Sequence, residues 1–112
     1  MLVIVCFAPV DHADEVRRAL AEAGAGALGA YSACSFTATG EGRFRPEEGA
    51  DPFIGEVGEL SVVREVRIEC VCPRDVAITA VEAMLAAHPY EEPAWHCYEA
   101  LTLDDLRAWT LL

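Results

Sequence analysis

Four stretches of the chain have the apolar patterns of β-strands. Residues 2–9 form a near-continuous apolar run, which is typical of a strand covered on at least one face. Residues 62–73 alternate between apolar and charged positions, which predicts a long half-buried strand. Its two faces would carry Val66, Ile68, Cys70 and Cys72 on the apolar side and Glu65, Arg67 and Glu69 on the polar side. Residues 30–38 and 94–101 are predicted as further strands, with a turn and a short strand at Phe44 after the first.

Two stretches have helical spacing instead. The first is predicted to begin at Asp11 as N-cap, with Asp14 at the third helical position as in a capping box, and to end at Gly24. The second covers residues 74–88 and ends before Pro89. The apolar stripes are predicted to be Val16, Leu20 and Ala23 in the first helix, and Ala77, Val81, Met84 and Leu85 in the second.

The remaining segments are a glycine-rich stretch, a long loop and a tail. Gly24, Gly26 and Gly29 follow a helix and precede a strand, which is the reverse of the order in a dinucleotide-binding loop, so we interpret them as a helix stop and a close backbone approach. Residues 46–61 form a loop longer than a compact domain normally carries, and its apolar Phe53 and Ile54 should be buried, in the domain or against another subunit. Residues 102–112 form an amphipathic tail of one or two helical turns, with Leu103, Leu106 and Trp109 on one side.

The order of these elements predicts the fold class. Strand, helix, strand, strand, helix and strand (βαββαβ) form an α+β, ferredoxin-like sandwich, in which an antiparallel sheet carries both helices on one face. The other face then stays open, and either carries the alternating charges of 62–72 or meets neighbouring subunits. At 112 residues we expect one domain, 1–112, with a core over 1–100 and the tail over 102–112.

Composition narrows the classes of function. Hydrophobic residues are 54% of the chain, which excludes intrinsic disorder. The formal charge is −11, and all eight basic residues are arginine, so nucleic acid is a poor partner and a cation or divalent metal would be attracted. No apolar run approaches the roughly 20 residues of a membrane span, and the N-terminus lacks the basic region of a signal peptide, so we expect a cytoplasmic protein with no membrane partner.

The five cysteines are an odd number and include no CxxC motif. In a cytoplasmic chain we expect them to be reduced, small buried hydrophobes. Cys70 and Cys72 would share one face of a strand, but zinc would need two further ligands there.

Reactive residue types concentrate in the segment HPYEEPAWHCYEA, residues 88–100. We predict that it contains a helix end, a turn braced by two prolines and a closing strand. In a purely structural interpretation, a protonated His88 caps the helix, Tyr90 packs, and Glu91 and Glu92 pair with arginines such as Arg64 or Arg67.

Two binding interpretations compete with that one. A divalent-cation site would combine His88 with Glu91 or Glu92 and with Glu65 or His96, because imidazole and carboxylate suit zinc or manganese. An organic ligand would instead lie in a subunit cleft, held by His88, Tyr90, Glu91, Glu92 and Trp95. Catalysis is not expected, since Cys97 and His96 are adjacent on a strand and point to opposite faces.

Three segments resemble a known family. Residues 24–60 (GAGALGAYSACSFTATGEGRFRPEEGADPFIGEVGEL), 63–73 (VREVRIECVCP) and 88–100 are similar to the insert domain of the YqfO, or Nif-three-like, proteins, over roughly residues 1 to 100. That insert resembles the PII signalling proteins and the CutA divalent-cation-tolerance proteins in fold. The family holds two metals on His, Asp and Glu residues of two flanking halves that this sequence lacks, so the dinuclear site cannot be transferred to any residue of the chain.

The resemblance implies a homotrimer with ligand clefts between subunits, and Phe53, Ile54 and Trp109 are the apolar residues that we expect at such an interface. On this basis we expect a free-standing, non-enzymatic binding or regulatory module with no assigned cofactor. The alternatives are a CutA-like protein that binds a divalent metal and a structural partner that docks on a separate metal domain.

Overall fold

A computed structural model describes residues 1–110. Its helices and strands are β1 (Leu2–Pro9), α1 (Ala13–Glu22), β2 (Phe36–Phe44), β3 (Ser61–Cys72), α2 (Ala77–Ala87), β4 (Trp95–Glu99) and α3 (Leu103–Thr110). The four strands form one sheet in the order β2-β3-β1-β4, and every neighbouring pair is antiparallel. The predicted α+β, ferredoxin-like fold is therefore confirmed.

The core lies between the sheet and the two longer helices. It joins Ile4, Cys6 and Ala8 of β1 and Val66, Ile68, Cys70 and Cys72 of β3 to Val16 and Leu20 of α1 and Ala80 and Met84 of α2. The apolar face predicted for β3 is thus confirmed. The stripe predicted for α2 is shifted, because Ala80 is fully buried while Ala77, Val81 and Leu85 are only partly so.

The cysteines follow the burial of their strands. Cys6, Cys70 and Cys72 are buried, Cys34 is half-buried and Cys97 is exposed, and all five are free thiols. Burial raises the pKa of Cys6 to about 12 and that of Cys70 to about 11. Both groups therefore stay protonated at neutral pH and pack as small apolar side chains, as predicted. The same prediction is wrong for Cys97, which is exposed.

Two local predictions were wrong. Asp11 does not cap α1: it lies in a 3-10 turn over Val10–His12, and the backbone N–H of Ala13 already donates to Val10 O, so this turn leads directly into the helix. Residues 30–38 and Phe44 do not form two strands, because β2 pairs continuously with β3 from Phe36 opposite Glu69 to Phe44 opposite Ser61. Tertiary pairing overrides the local turn signal of Gly40 and Gly42 there.

The sheet is longer than its helical cover. β1 pairs with β3 only over residues 65–72 of β3, whereas β2 pairs with it from 61 to 69. The far ends of β2 and β3 therefore project as a two-stranded arm, and the molecule measures 54 × 30 × 24 Å. Across residues 1–110, no helix combines the length and apolar character that crossing a membrane would require.

Candidate functional site

His88 joins the end of α2 to the central strand. Its backbone is extended, with φ −75° and ψ 137°, because Pro89 follows and disfavours a helical conformation. Nε2 lies 2.6 Å from the carbonyl oxygen of Phe7, and Nδ1 accepts the backbone N–H of Tyr90 at 3.1 Å. One nitrogen donates and the other accepts, so the imidazole is neutral. Burial lowers its pKa accordingly, and the expected protonated helix cap is wrong.

Tyr90 is turned by this contact toward the open face of the sheet. Its hydroxyl donates to Glu65 Oε2 at 2.8 Å, and Glu65 is only 8% exposed. Burial, and then the neighbouring carboxylate, raise the pKa of Tyr90, so the hydroxyl remains a donor at neutral pH. The carboxylate fits because β2 carries Gly42 beneath it: a Cβ at that position would lie 2.0 Å from Glu65 Oε1.

Aromatic rings surround this pair. The Tyr90 ring lies 5.7 Å from Phe44, 6.5 Å from Phe53 and 5.0 Å from His88, measured between centroids. Phe53 comes from the long loop, where it also meets His12 edge to face at 5.4 Å. Phe53 is 54% exposed within a single chain, so of the two predicted alternatives burial in the domain does not hold and burial against another subunit stays a prediction. The loop is tied to the proline-braced turn by the Asp51 N–H, which donates to Glu91 Oε1 at 2.9 Å.

The arm, the long loop and the turn enclose an open cleft of about 1030 Å³. Its aromatic lining consists of Phe7, Phe44, Phe53 and Tyr90, and its carboxylates are Glu41, Glu47, Glu48, Glu65, Glu91 and Glu92. Among the described residues, the cationic side chains that line it are Arg43 and Arg45, and Arg43 is paired with Glu41 at 3.2 Å. The cleft is therefore negative and aromatic, which favours cations and disfavours phosphates.

The structure brings together some of the candidate residues and separates others. Tyr90, Glu65, Glu91 and Glu92 all line the cleft, and His88 lies behind Tyr90 with both ring nitrogens occupied.

Trp95 and His96 lie outside the cleft. Trp95 stands opposite Cys6 and so points to the helical face, whereas His96 stands opposite Val5 on the open face, 6.5 Å from Phe7. Within residues 1–110, no group of three or more His, Cys, Asp or Glu side chains could hold a metal ion.

The ion pairs expected for the turn are replaced by other contacts. Arg67 pairs with Glu69 at 3.1 Å, not with a glutamate of the turn, and Glu91 accepts a backbone N–H. Sequence reasoning also missed Phe7, Gly42 and Phe44 as parts of the cleft. The available signal was the pair of glycines at alternate positions of β2, since glycine inside a strand often marks a close approach.

The neutral His88 predicts a pH dependence of stability. Its folded-state pKa lies below the unfolded value of 6.5, so the unfolded chain gains its proton first as the pH falls. The stability that depends on the neutral ring is complete above about pH 6.5 and is lost as the pH falls toward the folded-state pKa. We expect urea unfolding to show a smaller loss between about pH 7.5 and 5.5 in His88→Gln than in the parent.

The control for that measurement is His96→Gln, on the exposed strand β4, which should keep the full loss. Equal pH dependence in the parent and in His88→Gln would contradict the assignment of a neutral, buried imidazole.

Comparison with known proteins identifies close relatives of most of the chain. No family model matches the sequence. The chain is 48% identical over 95 residues to a GTP cyclohydrolase 1 type 2 homolog of Bacillus subtilis (strain 168), which covers 85% of this chain and 26% of that protein. It thus spans about a quarter of the length of the curated relatives that it matches.

Solved structures agree with this match. The crystal structure of a Bacillus cereus protein related to NIF3 superposes with a TM-score of 0.78 at 44% identity, over 90% of this chain and 26% of that one. The PII-like protein CutA from Nostoc sp. PCC 7120, in its apo form, superposes with a TM-score of 0.67 over 97% of this chain and 89% of that one. At 17% identity the second likeness concerns the fold alone. Over most of its length the chain is therefore similar to one segment of the Nif-three-like (YqfO) proteins, and that segment has a PII- and CutA-like fold.

Proposed function

We propose that this chain is a self-associating binding module whose cleft takes a small organic cation. The observation that carries the proposal is the Glu65 carboxylate, which is nine-tenths buried and fixed by Tyr90 at one oxygen. Its other oxygen, Oε1, lies over the Gly42 backbone, and both residues line the cleft. A pre-positioned carboxylate at the base of an aromatic cleft binds an ammonium or guanidinium group without the cost of ordering its own side chain.

The surroundings of Glu65 support a cation over other ligands. Phe7, Phe44 and Phe53 offer ring faces that attract a cation, and the other carboxylates attract it over longer distances. A nucleoside triphosphate would meet six carboxylates and two arginines. We therefore do not assign to this domain the nucleotide chemistry named in its relatives.

We further propose binding without catalysis, in the cytoplasm. His96 and Cys97 are neighbours on β4 and project to opposite faces, so the imidazole does not activate the thiol. The buried thiols of Cys6 and Cys70 have raised pKa values, which disfavours the reactive thiolate.

Self-association is proposed from the two edges of the sheet. Both β2 and β4 are edge strands, every residue of β4 is exposed, and Phe36 on β2 is 73% exposed. Exposed edges of this kind pair readily with another chain. We propose a homotrimer, which light scattering would report as about three times the chain mass of 12.1 kDa. A monomer at all concentrations would contradict it.

The ligand is tested by calorimetric titration with agmatine, which carries both an ammonium and a guanidinium group. We expect Glu65→Gln to weaken binding by about tenfold or more, because the group opposite the ligand loses its charge. The matched control is Glu59→Gln, an exposed glutamate of the long loop that does not line the cleft, which should change binding by less than about twofold.

The same titration separates the alternatives. Binding of Zn²⁺ but not agmatine, lost in Glu91→Gln, would replace the proposal with a CutA-like divalent-metal function. Binding of GTP in the cleft would contradict the electrostatic argument. If the chain bound none of agmatine, Zn²⁺ and GTP but captured a separately encoded metal domain of this family, the module would be a structural partner.

A further inference from the structure

The C-terminal helix α3 is well formed but displays its apolar side to solvent. Its start is fixed by a reciprocal cap: Asp105 N–H donates to Thr102 Oγ1 at 3.2 Å, and Asp105 Oδ2 accepts from the N–H and hydroxyl of Thr102 at 2.8 and 2.9 Å. These hydrogen bonds lower the pKa of Asp105. The predicted stripe of Leu103, Leu106 and Trp109 is 59%, 46% and 62% exposed. Stripes of this kind on a helix normally bury against another element.

A groove with an apolar wall and a cationic rim lies on the side of the molecule opposite to α3. It has a volume of about 200 Å³ and runs between α1 and residues 33–35, with Ile68 and Cys70 of β3 at its base. Leu20, Ala21 and Ala25 form its apolar wall, and Arg17 and Arg18 form its rim. No acidic side chain of the described residues lines it, although the chain carries a net charge of −11.

The α3 helix cannot reach this groove in its own chain. Only three residues separate Glu99 at the end of β4 from Leu103, and the backbone N–H of Ala100 is bonded to Met1 O at 2.8 Å, so α3 stays beside the β4 edge. The groove lies beside α1, toward the β2 edge, and no residue of α2 or β4 lines it. An α3 helix that fills this groove must therefore belong to another molecule.

We propose that α3 of one copy docks in the α1 groove of a second copy of this chain. Leu106 and Trp109 enter the apolar groove. Asp104, whose side chain is 93% exposed and lies 3.6 Å from Arg107 of its own helix, turns to Arg18 at the rim of the groove. Helix and groove are opposite sides of the same chain, so the contact is head-to-tail, and such a contact gives a closed ring where its rotation closes. This inference rests on the proposed self-association and adds to the sheet edges a second contact between copies.

The test is sedimentation velocity over a range of concentrations, with substitutions at positions outside the buried core. Trp109→Asp on the helix and Ala21→Arg in the groove should each raise the dissociation constant of the assembly by about tenfold or more, because each removes apolar contact. Circular dichroism confirms that each variant stays folded.

A charge exchange tests the pairing of the two surfaces. Asp104→Arg and Arg18→Asp should each weaken assembly several-fold, and the double variant should recover most of the loss. Asp75→Arg, an exposed carboxylate outside both surfaces, is the matched control and should leave the assembly unchanged.

A spectroscopic readout follows Trp109 directly. In a Trp95→Phe background Trp109 is the remaining tryptophan. Its fluorescence emission should shift to shorter wavelength as the protein assembles, and Ala21→Arg should abolish this shift. Assembly that is unaffected by Trp109→Asp and by the charge exchange would overturn the α3 contact and leave the proposed oligomer standing. A monomeric parent chain would overturn both.

Discussion

Replacement of Gly26 by alanine is expected to destabilise the protein by about 3 kcal/mol or more. Gly26 has φ +86°, and a Cβ there would lie 2.6 Å from Cys34 O and 2.7 Å from Cys34 N. Both contacts are with backbone, which cannot rotate away. The backbone of Gly26 also bonds to Val71 O at 2.6 Å and to Cys34 N at 3.1 Å, so any shift to relieve the clash breaks these bonds.

The measurement is thermal or urea unfolding of Gly26→Ala beside Gly49→Ala. Gly49 has a similar left-handed φ of +97°, but no atom lies within 4 Å of a Cβ at that position. Gly49→Ala should therefore cost only the conformational strain, about 1–2 kcal/mol. Equal losses in the two variants would show that the close approach at Gly26 contributes nothing beyond its backbone conformation.

Tyr90→Phe is expected to destabilise the protein by about 2 kcal/mol. The substitution removes the hydroxyl that donates to Glu65 Oε2 and leaves a buried carboxylate without that donor. A buried charge that has lost its partner costs more than the hydrogen bond itself contributes. Tyr98→Phe, on the same face of the sheet and exposed, should change stability by less than about 0.5 kcal/mol.

The origin of the stability lost in Tyr90→Phe is tested in a Glu65→Met background. Glu65→Met replaces the carboxylate by an apolar side chain of similar length, so Tyr90→Phe should then cost less than about 0.5 kcal/mol. The difference between the two backgrounds is the coupling energy of the pair. An equal cost of Tyr90→Phe in both backgrounds would mean that ring packing with Phe44 and Phe53, and not the hydrogen bond, stabilises this contact.

The strands and helices that face the core could be predicted because they repeat a local pattern. Residues 62–73 alternate with period two, and burial selects the side that carries Val66, Ile68, Cys70 and Cys72. β2 could not be predicted in the same way. Its nine residues are all exposed or half-buried, so no burial pattern marks them, and its extent is set by pairing with the longer β3.

The candidate site was predictable in residue type but not in arrangement. The segment 88–100 offered Tyr90, Glu91 and Glu92 as candidates, and these three residues line the cleft. Burial lowers the pKa of His88, and its ring bonds to the carbonyl of Phe7, 81 residues away; no local pattern reveals either the burial or this contact. Trp95 and His96 were placed in the site by proximity in sequence, and the alternation of β4 sends them to opposite faces.

The fold class followed from the order and spacing of the apolar runs, because these permit few packings of two helices on one sheet. The sequence also predicted a close backbone approach among Gly24, Gly26 and Gly29, which the structure places at Gly26, and it gave the negative charge that favours a cation. The tertiary structure alone decided that Glu65 of β3, Tyr90 of the turn and Phe53 of the long loop meet in one cleft. That meeting depends on strand register and on long-range hydrogen bonds, which join residues that no local periodicity connects.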